Sequence, residues 1–255
     1  MTHSIPRQFL RKKKRHAKIV MLTAYDFPLA SFIDQCGVDI ILVGDSLANV
    51  VLGLKSTREV NMEIMLHHTK AVRRAVKNAF LVGDMPYGSY EESNRAIKNA
   101  KRFIKEAGCD AVKIEWFAAC PKVARTIVKA GIPLMGHVGL TPQTATSFKV
   151  QGRDPGSARR IMEQARLLEK AGCFSIVLEC IPDKIAALIT NALKIPTIGI
   201  GAGPHCDGQV LVSHDVLGLS DTPPPFAKPY AQLSEQILSA ARAYIEDVRA
   251  GSPNR

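Results

Sequence analysis

Short apolar runs alternate with longer amphipathic ones along most of the chain. The short runs are rich in Ile, Val and Leu, which is typical of strands buried in a parallel sheet, whereas the longer runs have helical spacing. We predict strands at 19–24, 39–43, 80–83, 111–114, 132–135, 174–178 and 196–200, with one more at either 210–212 or 216–219. We predict the main helices at 28–36, 62–77, 91–107, 121–130, 157–171, 183–193 and 233–249.

Glycines mark the ends of several predicted helices. Gly108, Gly131 and Gly172 each follow an alanine, and an apolar run begins almost at once. Glycine suits the left-handed position that closes a helix, and short links of this kind connect helices to strands in parallel sheets. About eight strands in such alternation favour a closed (β/α)8 barrel, also called a TIM barrel. An open doubly wound α/β sheet is the alternative, but no GxGxxG segment follows the first strand. We expect one domain over residues 1–255, with a basic N-terminal arm at about 1–17.

The formal net charge of +11 is compatible with nucleic acid or with an acidic small molecule. A run of basic residues, Arg11–Arg15, lies in the arm, where no apolar pattern is present. We interpret this run as a solvated arm, since charge runs are usually solvated. No aromatic residues are interleaved with basic ones in the way that base stacking requires. We therefore expect no nucleic acid partner, and a basic protein that binds RNA or DNA through its arm is the rival class.

The chain has six cysteines and no CxxC pair. This spacing is typical of small buried residues in a reducing compartment and not of a zinc site or a disulfide framework. No apolar run approaches the ~18–20 residues that a membrane span needs. We expect a cytoplasmic protein without a membrane partner.

Polar side chains stand at the carboxyl end of one predicted strand after another. In a (β/α)8 barrel, these ends meet at one mouth, where catalytic groups lie. Acids end five of the first six strands, so the mouth would be rich in carboxylates. The strand-end residues are Tyr25 and Asp26, Asp45 and Ser46, Asp84, Lys113 and Glu115, His137, and Glu179.

Several carboxylates in one buried mouth repel one another, and a bound divalent cation would relieve that repulsion. Oxygen ligands favour Mg²⁺. Lys113 suits a substrate carboxylate or a developing oxyanion, and Glu179, alone on a later strand, is a candidate base. Structural alternatives stay open at this point. Asp45 could cap the next helix, Lys113 and Glu115 could form a plain ion pair, and His137 could be a structural histidine.

Nine segments, in order along the chain, resemble the ketopantoate hydroxymethyltransferase family. Single motifs such as GDS also occur in the wider phosphoenolpyruvate/isocitrate-lyase group of barrels, but the ordered set is specific. The segments are TAYD (23–26), VGDSL (43–47), HTKAVRR (68–74), VKIE (112–115), GHVGLTPQ (136–143), VQGR (150–153), VLEC (177–180), IGIGAG (198–203) and DGQVLV (207–212).

The resemblance implies an α/β (β/α)8 barrel of the phosphoenolpyruvate/pyruvate type and a large homo-oligomer, often a decamer. It implies that a hydroxymethyl group passes from 5,10-methylenetetrahydrofolate to 3-methyl-2-oxobutanoate, a 2-oxo acid, with one Mg²⁺ per subunit. The product would be 2-dehydropantoate, a precursor of pantothenate and coenzyme A.

The resemblance also implies roles for individual residues. Asp45 and Asp84 match metal ligands that border the oxo acid, and Glu115 matches a third metal-associated acid. Ser46 and Lys113 match contacts to the oxo acid. Glu179 matches the proton acceptor, and His137 matches an accessory histidine at the edge of the site.

Two further alternatives remain at this stage. Another metal-dependent 2-oxo acid lyase or mutase of the same barrel superfamily would share the strand-end acids. Such enzymes tend to carry a catalytic cysteine on a mobile loop, and no such motif is found in this sequence. A barrel kept only as a structural protein is disfavoured because the acid set is intact.

Overall fold

Eight parallel strands close into one barrel in a computed structural model that describes residues 6–145 and 147–251. Each strand pairs with the next in sequence order, which confirms the predicted (β/α)8 barrel. The strands are β1 (Ile19–Thr23), β2 (Ile40–Val43), β3 (Phe80–Asp84), β4 (Ala111–Lys113), β5 (Leu134–Gly139), β6 (Ser175–Glu179), β7 (Thr197–Ile200) and β8 (Gly208–Leu211).

Helices follow the strands in the order that the periodicity predicts. The longer ones are α2 (Phe27–Gln35), α4 (Met62–Ala75), α5 (Ser93–Lys105), α6 (Cys120–Lys129), α7 (Pro155–Ala171), α8 (Asp183–Ala192) and α10 (Leu233–Arg249). Three short or polar helices were not predicted: α1 (Arg7–Lys14), α3 (Leu47–Val50) and α9 (Ser213–Leu217). A 3-10 turn, Thr57–Glu59, precedes α4.

The last strand follows the first of the two sequence alternatives. β8 pairs with β7 through Ile198 and Gly208, whereas most of the second alternative, 216–219, lies in or beside α9. A side chain at Gly208 would collide with the main chain of β1, since a Cβ there would lie 2.4 Å from the Ile19 carbonyl oxygen. Glycine at this position therefore lets the first and last strands approach closely.

Two apolar clusters form the core. The larger one lies between the strands and the surrounding helices. The smaller one includes alternate strand residues such as Met21, Met135 and Val177, and it also contains Phe9 from α1. Since side chains alternate between the two faces of a strand, this arrangement fits a filled barrel interior.

The N-terminal arm is only partly solvated over its described part: Arg11, Lys14 and Arg15 are exposed as expected, but the arm also packs against the barrel. Residues 7–14 form α1, and Phe9 is only 2% exposed. The Phe9 ring stacks on Phe174 and meets Phe80 edge-on. Lys13 Nζ lies 2.7 Å from Asp207 Oδ2, and Lys12 Nζ lies 2.5 Å from Asp39 Oδ1. One buried aromatic ring and two ion pairs therefore hold this helix against the barrel, while the rest of the basic run stays in solvent.

The chain forms two compact units, of which the first ends at Val210 and the second begins at Leu211. The second unit contains α9 and α10. Within the described ranges, no helix combines the length and apolarity needed to cross a membrane. Residues 1–5 of the expected arm, Thr146 and residues 252–255 lie outside the described residues.

Candidate active site

The carboxyl ends of four neighbouring strands bring five charged side chains together. Asp45 follows β2, Asp84 ends β3, Lys113 ends β4 with Glu115 two residues later, and His137 lies in β5. All five are at most 5% exposed. Buried charges are rare unless they are paired or bind a metal, so this cluster is a candidate active site.

Lys113 is the positive centre of the cluster. Its Nζ lies 2.9 Å from Asp84 Oδ1 and 3.4 Å from His137 Nδ1. The carboxylate of Asp84 is also held by the main chain, because the backbone N–H of Asp45 donates to Oδ2 at 3.3 Å. Lys113 pairs with Asp84 and not, as one sequence alternative had it, with Glu115.

His137 connects the cluster to β6. Its Nδ1 lies 3.5 Å from Glu115 Oε1, and its Nε2 lies 3.1 Å from Glu179 Oε2. Glu179 is the most accessible acid of the group, with 16% of its side chain exposed. The histidine therefore fixes one face of a carboxylate that a ligand in the mouth can still reach.

Gly139 permits the close approach of β5 and β6 beside Glu179. It has a φ of +97°, and a Cβ there would lie 2.3 Å from the Glu179 carbonyl oxygen. That carbonyl accepts a hydrogen bond from Leu140 N at 2.9 Å. Only glycine fits such a position without strain.

Burial and nearby negative charge raise the pKa values of Asp45 and Asp84 and so disfavour their charged forms. Burial, with repulsion from Asp84 and Glu115, raises the pKa of Asp45 well above its usual range. Burial also raises the pKa of Asp84, although Lys113 opposes this. A positive charge bound beside the two carboxylates would therefore stabilise their charged forms.

The other groups are held in their charged forms by their partners. Burial alone would lower the pKa of Lys113, but Asp84, Glu115 and Asp45 outweigh it and raise that pKa. Burial would raise the pKa of Glu115, but the His137 hydrogen bond and nearby charges lower it. Burial and Lys113 act against charge on His137, yet hydrogen bonds to Glu115 and Glu179 raise its pKa to about 9.

The two residues at the end of β1 differ in their surroundings. Asp26 is exposed and caps α2 by accepting a hydrogen bond from Leu29 N, so the expectation that it joins the mouth was wrong. Tyr25 is fully buried, and its hydroxyl lies 2.8 Å from Ser46 Oγ. Ser46 itself is half-buried and follows Asp45 directly.

Two residues that the strand-end pattern does not indicate complete the cluster. Gln143 is 1% exposed, and its Nε2 donates to Asp45 Oδ2 at 2.9 Å. The Tyr90 hydroxyl donates to Gln143 Oε1 and accepts from Glu115 N at 3.2 Å. Both residues lie in loops after strands, where a single polar residue gives no periodic signal. The GHVGLTPQ segment, which ends at Gln143, was the available hint.

The donor set at Asp45 and Asp84 fits a hard divalent cation. Within residues 6–145 and 147–251, no three His, Cys, Asp or Glu side chains are arranged as a set of metal ligands. Mg²⁺, however, usually keeps several waters and takes one or two carboxylates. Two adjacent carboxylates with raised pKa values provide that number of ligands and would be stabilised by the cation. Glu115 Oε2 already accepts from Gln143 N at 3.0 Å, and Oε1 faces His137.

Solved structures of other enzymes share the fold. Phosphonopyruvate hydrolase in complex with oxalate and Mg²⁺ aligns with a TM-score of 0.65 at 14% identity, covering 98% of this chain and 88% of that one. A 2,3-dimethylmalate lyase of the PEP mutase/isocitrate lyase superfamily aligns with a TM-score of 0.63 at 14% identity, covering 97% and 89%. At this identity the likeness extends to the barrel alone.

The sequence relatives are much closer. The 3-methyl-2-oxobutanoate hydroxymethyltransferase of Syntrophomonas wolfei is 51% identical over 246 residues, which cover 94% of this chain and 89% of the relative. The enzyme of the same name from Acetivibrio thermocellus is 50% identical over 248 residues, covering 95% and 88%. The family model for ketopantoate hydroxymethyltransferase matches residues 4–254. The chain therefore belongs to the ketopantoate hydroxymethyltransferase family.

Proposed function

We propose that this protein transfers a hydroxymethyl group from 5,10-methylenetetrahydrofolate to 3-methyl-2-oxobutanoate and forms 2-dehydropantoate for pantothenate biosynthesis. The observation that carries the proposal is the juxtaposition at the barrel mouth. Two adjacent buried carboxylates, one buried ammonium and one accessible carboxylate lie on neighbouring strand ends. This is the set that a 2-oxo acid needs for binding and proton removal. The names of the relatives supply the substrate and the group transferred.

We assign Asp45 and Asp84 as the protein ligands of Mg²⁺. When bound, the cation would hold the carboxylate and keto oxygens of the oxo acid and stabilise negative charge on the keto oxygen. Glu115, whose oxygens already bind Gln143 and His137, would act through water in the cation's hydration shell.

Lys113 and Ser46 would bind the oxo acid directly. The Lys113 ammonium, fixed 2.9 Å from Asp84, would attract the substrate carboxylate and the developing enolate. The Ser46 hydroxyl, held by Tyr25, would donate a hydrogen bond to a substrate oxygen.

Glu179 would remove the proton from the branched carbon of the oxo acid. His137 would hold the Glu179 carboxylate in place from the other side. The electron pair of the broken C–H bond would then form the new C–C bond to the methylene carbon of the folate, and one of the two C–N bonds of that carbon would break. Water would replace the second C–N bond and supply the hydroxyl of the product, and tetrahydrofolate would leave with both nitrogens protonated.

Proton exchange at the branched carbon tests this role of Glu179. The substrate would be incubated with enzyme and Mg²⁺ in D₂O without folate, so that no C–C bond can form. We expect Glu179→Gln to exchange the hydrogen more slowly than wild type by a factor of ~10²–10⁴, because an amide cannot accept the proton. Glu163→Gln, an exposed site on α7, is the matched control and should exchange at the wild-type rate. Wild-type exchange by Glu179→Gln would show that another group is the base.

The runner-up function is another metal-dependent lyase or mutase of this barrel superfamily acting on a 2-oxo acid. Its support is limited to the shared fold at 14% identity. Product analysis with 3-methyl-2-oxobutanoate, methylenetetrahydrofolate and Mg²⁺ separates the two. Absence of 2-dehydropantoate, with cleavage of a 2-oxo acid instead, would favour the runner-up.

We propose that the chain acts as one (β/α)8 domain, since all eight strands belong to one closed barrel. We further propose that it assembles as a homo-oligomer. No side chain of α10 is buried, and five of its large apolar residues are each at least 43% exposed. Such a surface is typical of an interface.

The cysteines at positions 36, 109, 120, 173, 180 and 206 are all free, which supports the cytoplasm as the site of action.

A further inference from the structure

Gln143 connects three strand ends of the site through its side chain and main chain. Its Nε2 donates to Asp45 Oδ2 at 2.9 Å and to the Met85 carbonyl at 3.0 Å. Its backbone N–H donates to Glu115 Oε2 at 3.0 Å. These partners follow β2, β3 and β4, whereas Gln143 itself follows β5.

The orientation of the Gln143 amide is determined by its surroundings. The Met85 carbonyl can only accept, so the group facing it must be the NH₂. The Tyr90 hydroxyl accepts a hydrogen bond from Glu115 N and donates its own proton to Gln143 Oε1, which matches this orientation. A reversed amide would place two acceptors against each other on the Met85 side. The NH₂ group is therefore held against Asp45.

The main chain of Gln143 is held independently of the side chain. Its carbonyl accepts a hydrogen bond from Arg58 Nε at 2.6 Å, and its N–H is engaged by Glu115. Phe117 packs edge-on against the Tyr90 ring at 5.7 Å, which fixes the tyrosine as well. Replacing the amide should consequently leave the loop in place.

We propose that Gln143, oriented by Tyr90, is a positioning residue that fixes the Asp45 carboxylate for the divalent cation. Asp84 Oδ2 lies 3.3 Å from the backbone N of Asp45, so the two carboxylates are neighbours, and an Asp45 side chain without a partner would be free to rotate away from Asp84. The amide hydrogen bond prevents that rotation and keeps both carboxylates where one cation can bind them. The inference rests on the proposed function, because it requires the cation site at Asp45 and Asp84.

Cation affinity tests the proposal directly. Mn²⁺ binding would be measured by the EPR signal of the free ion for wild type, Gln143→Met, Tyr90→Phe and Gln35→Met. Methionine matches the length of glutamine but cannot donate to Asp45. We expect the Kd of Gln143→Met to rise by ~10–100-fold, the usual effect of losing a hydrogen bond to a metal ligand. Tyr90→Phe should shift the Kd in the same direction by less. Gln35→Met, on the exposed side of α2, should keep the wild-type Kd.

Turnover at increasing Mg²⁺ separates positioning from general damage. If Gln143 acts on cation affinity, excess Mg²⁺ should restore much of the turnover of Gln143→Met. Wild-type Kd values in both variants would overturn the proposal, and so would lost turnover that excess Mg²⁺ does not restore. If circular dichroism shows that Gln143→Met does not fold, the Kd of Tyr90→Phe tests the proposal instead. A raised Kd would support the proposal and a wild-type Kd would overturn it. A wild-type protein that binds no Mn²⁺ would instead overturn the proposed function.

Discussion

The active-site cluster is a set of buried charges that depend on one another. Asp84 and Lys113 lie 2.9 Å apart, and each is at most 4% exposed. Removing one member of such a pair leaves the other charge buried and costs roughly 3–5 kcal/mol. Substitutions here therefore affect both stability and chemistry, and the two effects must be measured separately.

At Asp84, we expect Asp84→Asn to abolish Mn²⁺ binding and turnover, because a neutral amide replaces one of two carboxylate ligands. Asparagine keeps the size of the side chain, so the fold should be retained, and circular dichroism would check this. Asp26→Asn is the matched control. Asp26 also follows a strand, but it caps α2 at the surface, and asparagine caps helices equally well. If Asp84→Asn turned over at the wild-type rate with Mg²⁺ present, Asp84 would not be a ligand of the cation.

At His137, the raised pKa predicts a pH-dependent free energy of unfolding in metal-free protein. The pKa is about 9 in the folded chain against 6.5 normally, so the charged form stabilises the fold. This contribution is complete below about pH 6.5 and is lost as the pH rises through about 9, and it is on the order of 3 kcal/mol. Urea unfolding across that range should show a steeper loss for wild type than for His137→Asn. His67→Asn, at an exposed site, should follow wild type. Equal slopes for all three proteins would mean that His137 is neutral.

At the scale of the elements, α1 is a polar, basic helix that is anchored by one buried aromatic side chain. Only Phe9 of its eight residues is buried, and it packs with Phe80 and Phe174. The sequence contains no apolar periodicity here, because one inward-facing residue is enough when a barrel interior provides the contacts. The basic residues Lys12 and Lys13 add ion pairs to Asp39 and Asp207.

We expect Phe9→Ala to lower the free energy of unfolding by roughly 3–5 kcal/mol, since a buried ring is replaced by a cavity. Chemical denaturation would measure the change. Phe32→Ala is the control, because Phe32 on α2 is 66% exposed and its loss should matter little. A similar small effect in both variants would restore the interpretation of the arm as a solvated segment.

At the scale of the whole molecule, the apolar side of α10 predicts self-association. Its exposed large apolar residues are Ile237, Leu238, Tyr244, Ile245 and Val248. Their spacing places them on one side of the helix. Contiguous exposed apolar surface of this kind favours burial against another protein surface.

Light scattering on a sizing column should give wild type the mass of an oligomer. We expect the double variant Tyr244→Asp and Val248→Asp to shift toward the monomer, because burying two carboxylates in an apolar interface is costly. Ser239→Asp adds a charge on the opposite side of α10, where we expect no effect. A monomeric wild-type protein would contradict the proposed homo-oligomer.

The order of elements and the barrel could be read from the sequence, since both depend on local periodicity and on the short links between helices and strands. The strand-end positions of Asp45, Asp84, Lys113, Glu115, His137 and Glu179 followed from the same pattern. The sequence could not distinguish Asp26 from Asp45, because both are acids after a strand. The first caps a helix at the surface, and the second is buried.

Only the tertiary structure decided which side chains meet. Gln143 contacts Asp45 from 98 residues away, and His137 lies between acids of two other strands. Phe9 is buried by contacts with Phe80 of β3 and with Phe174, the residue before β6, both far along the chain. Such pairings depend on how the closed barrel brings distant strand ends and loops together, and hydrophobic periodicity contains no record of that geometry. Local pattern thus determined the elements and their order, whereas long-range packing determined the partners, the burial and the charge states at the site.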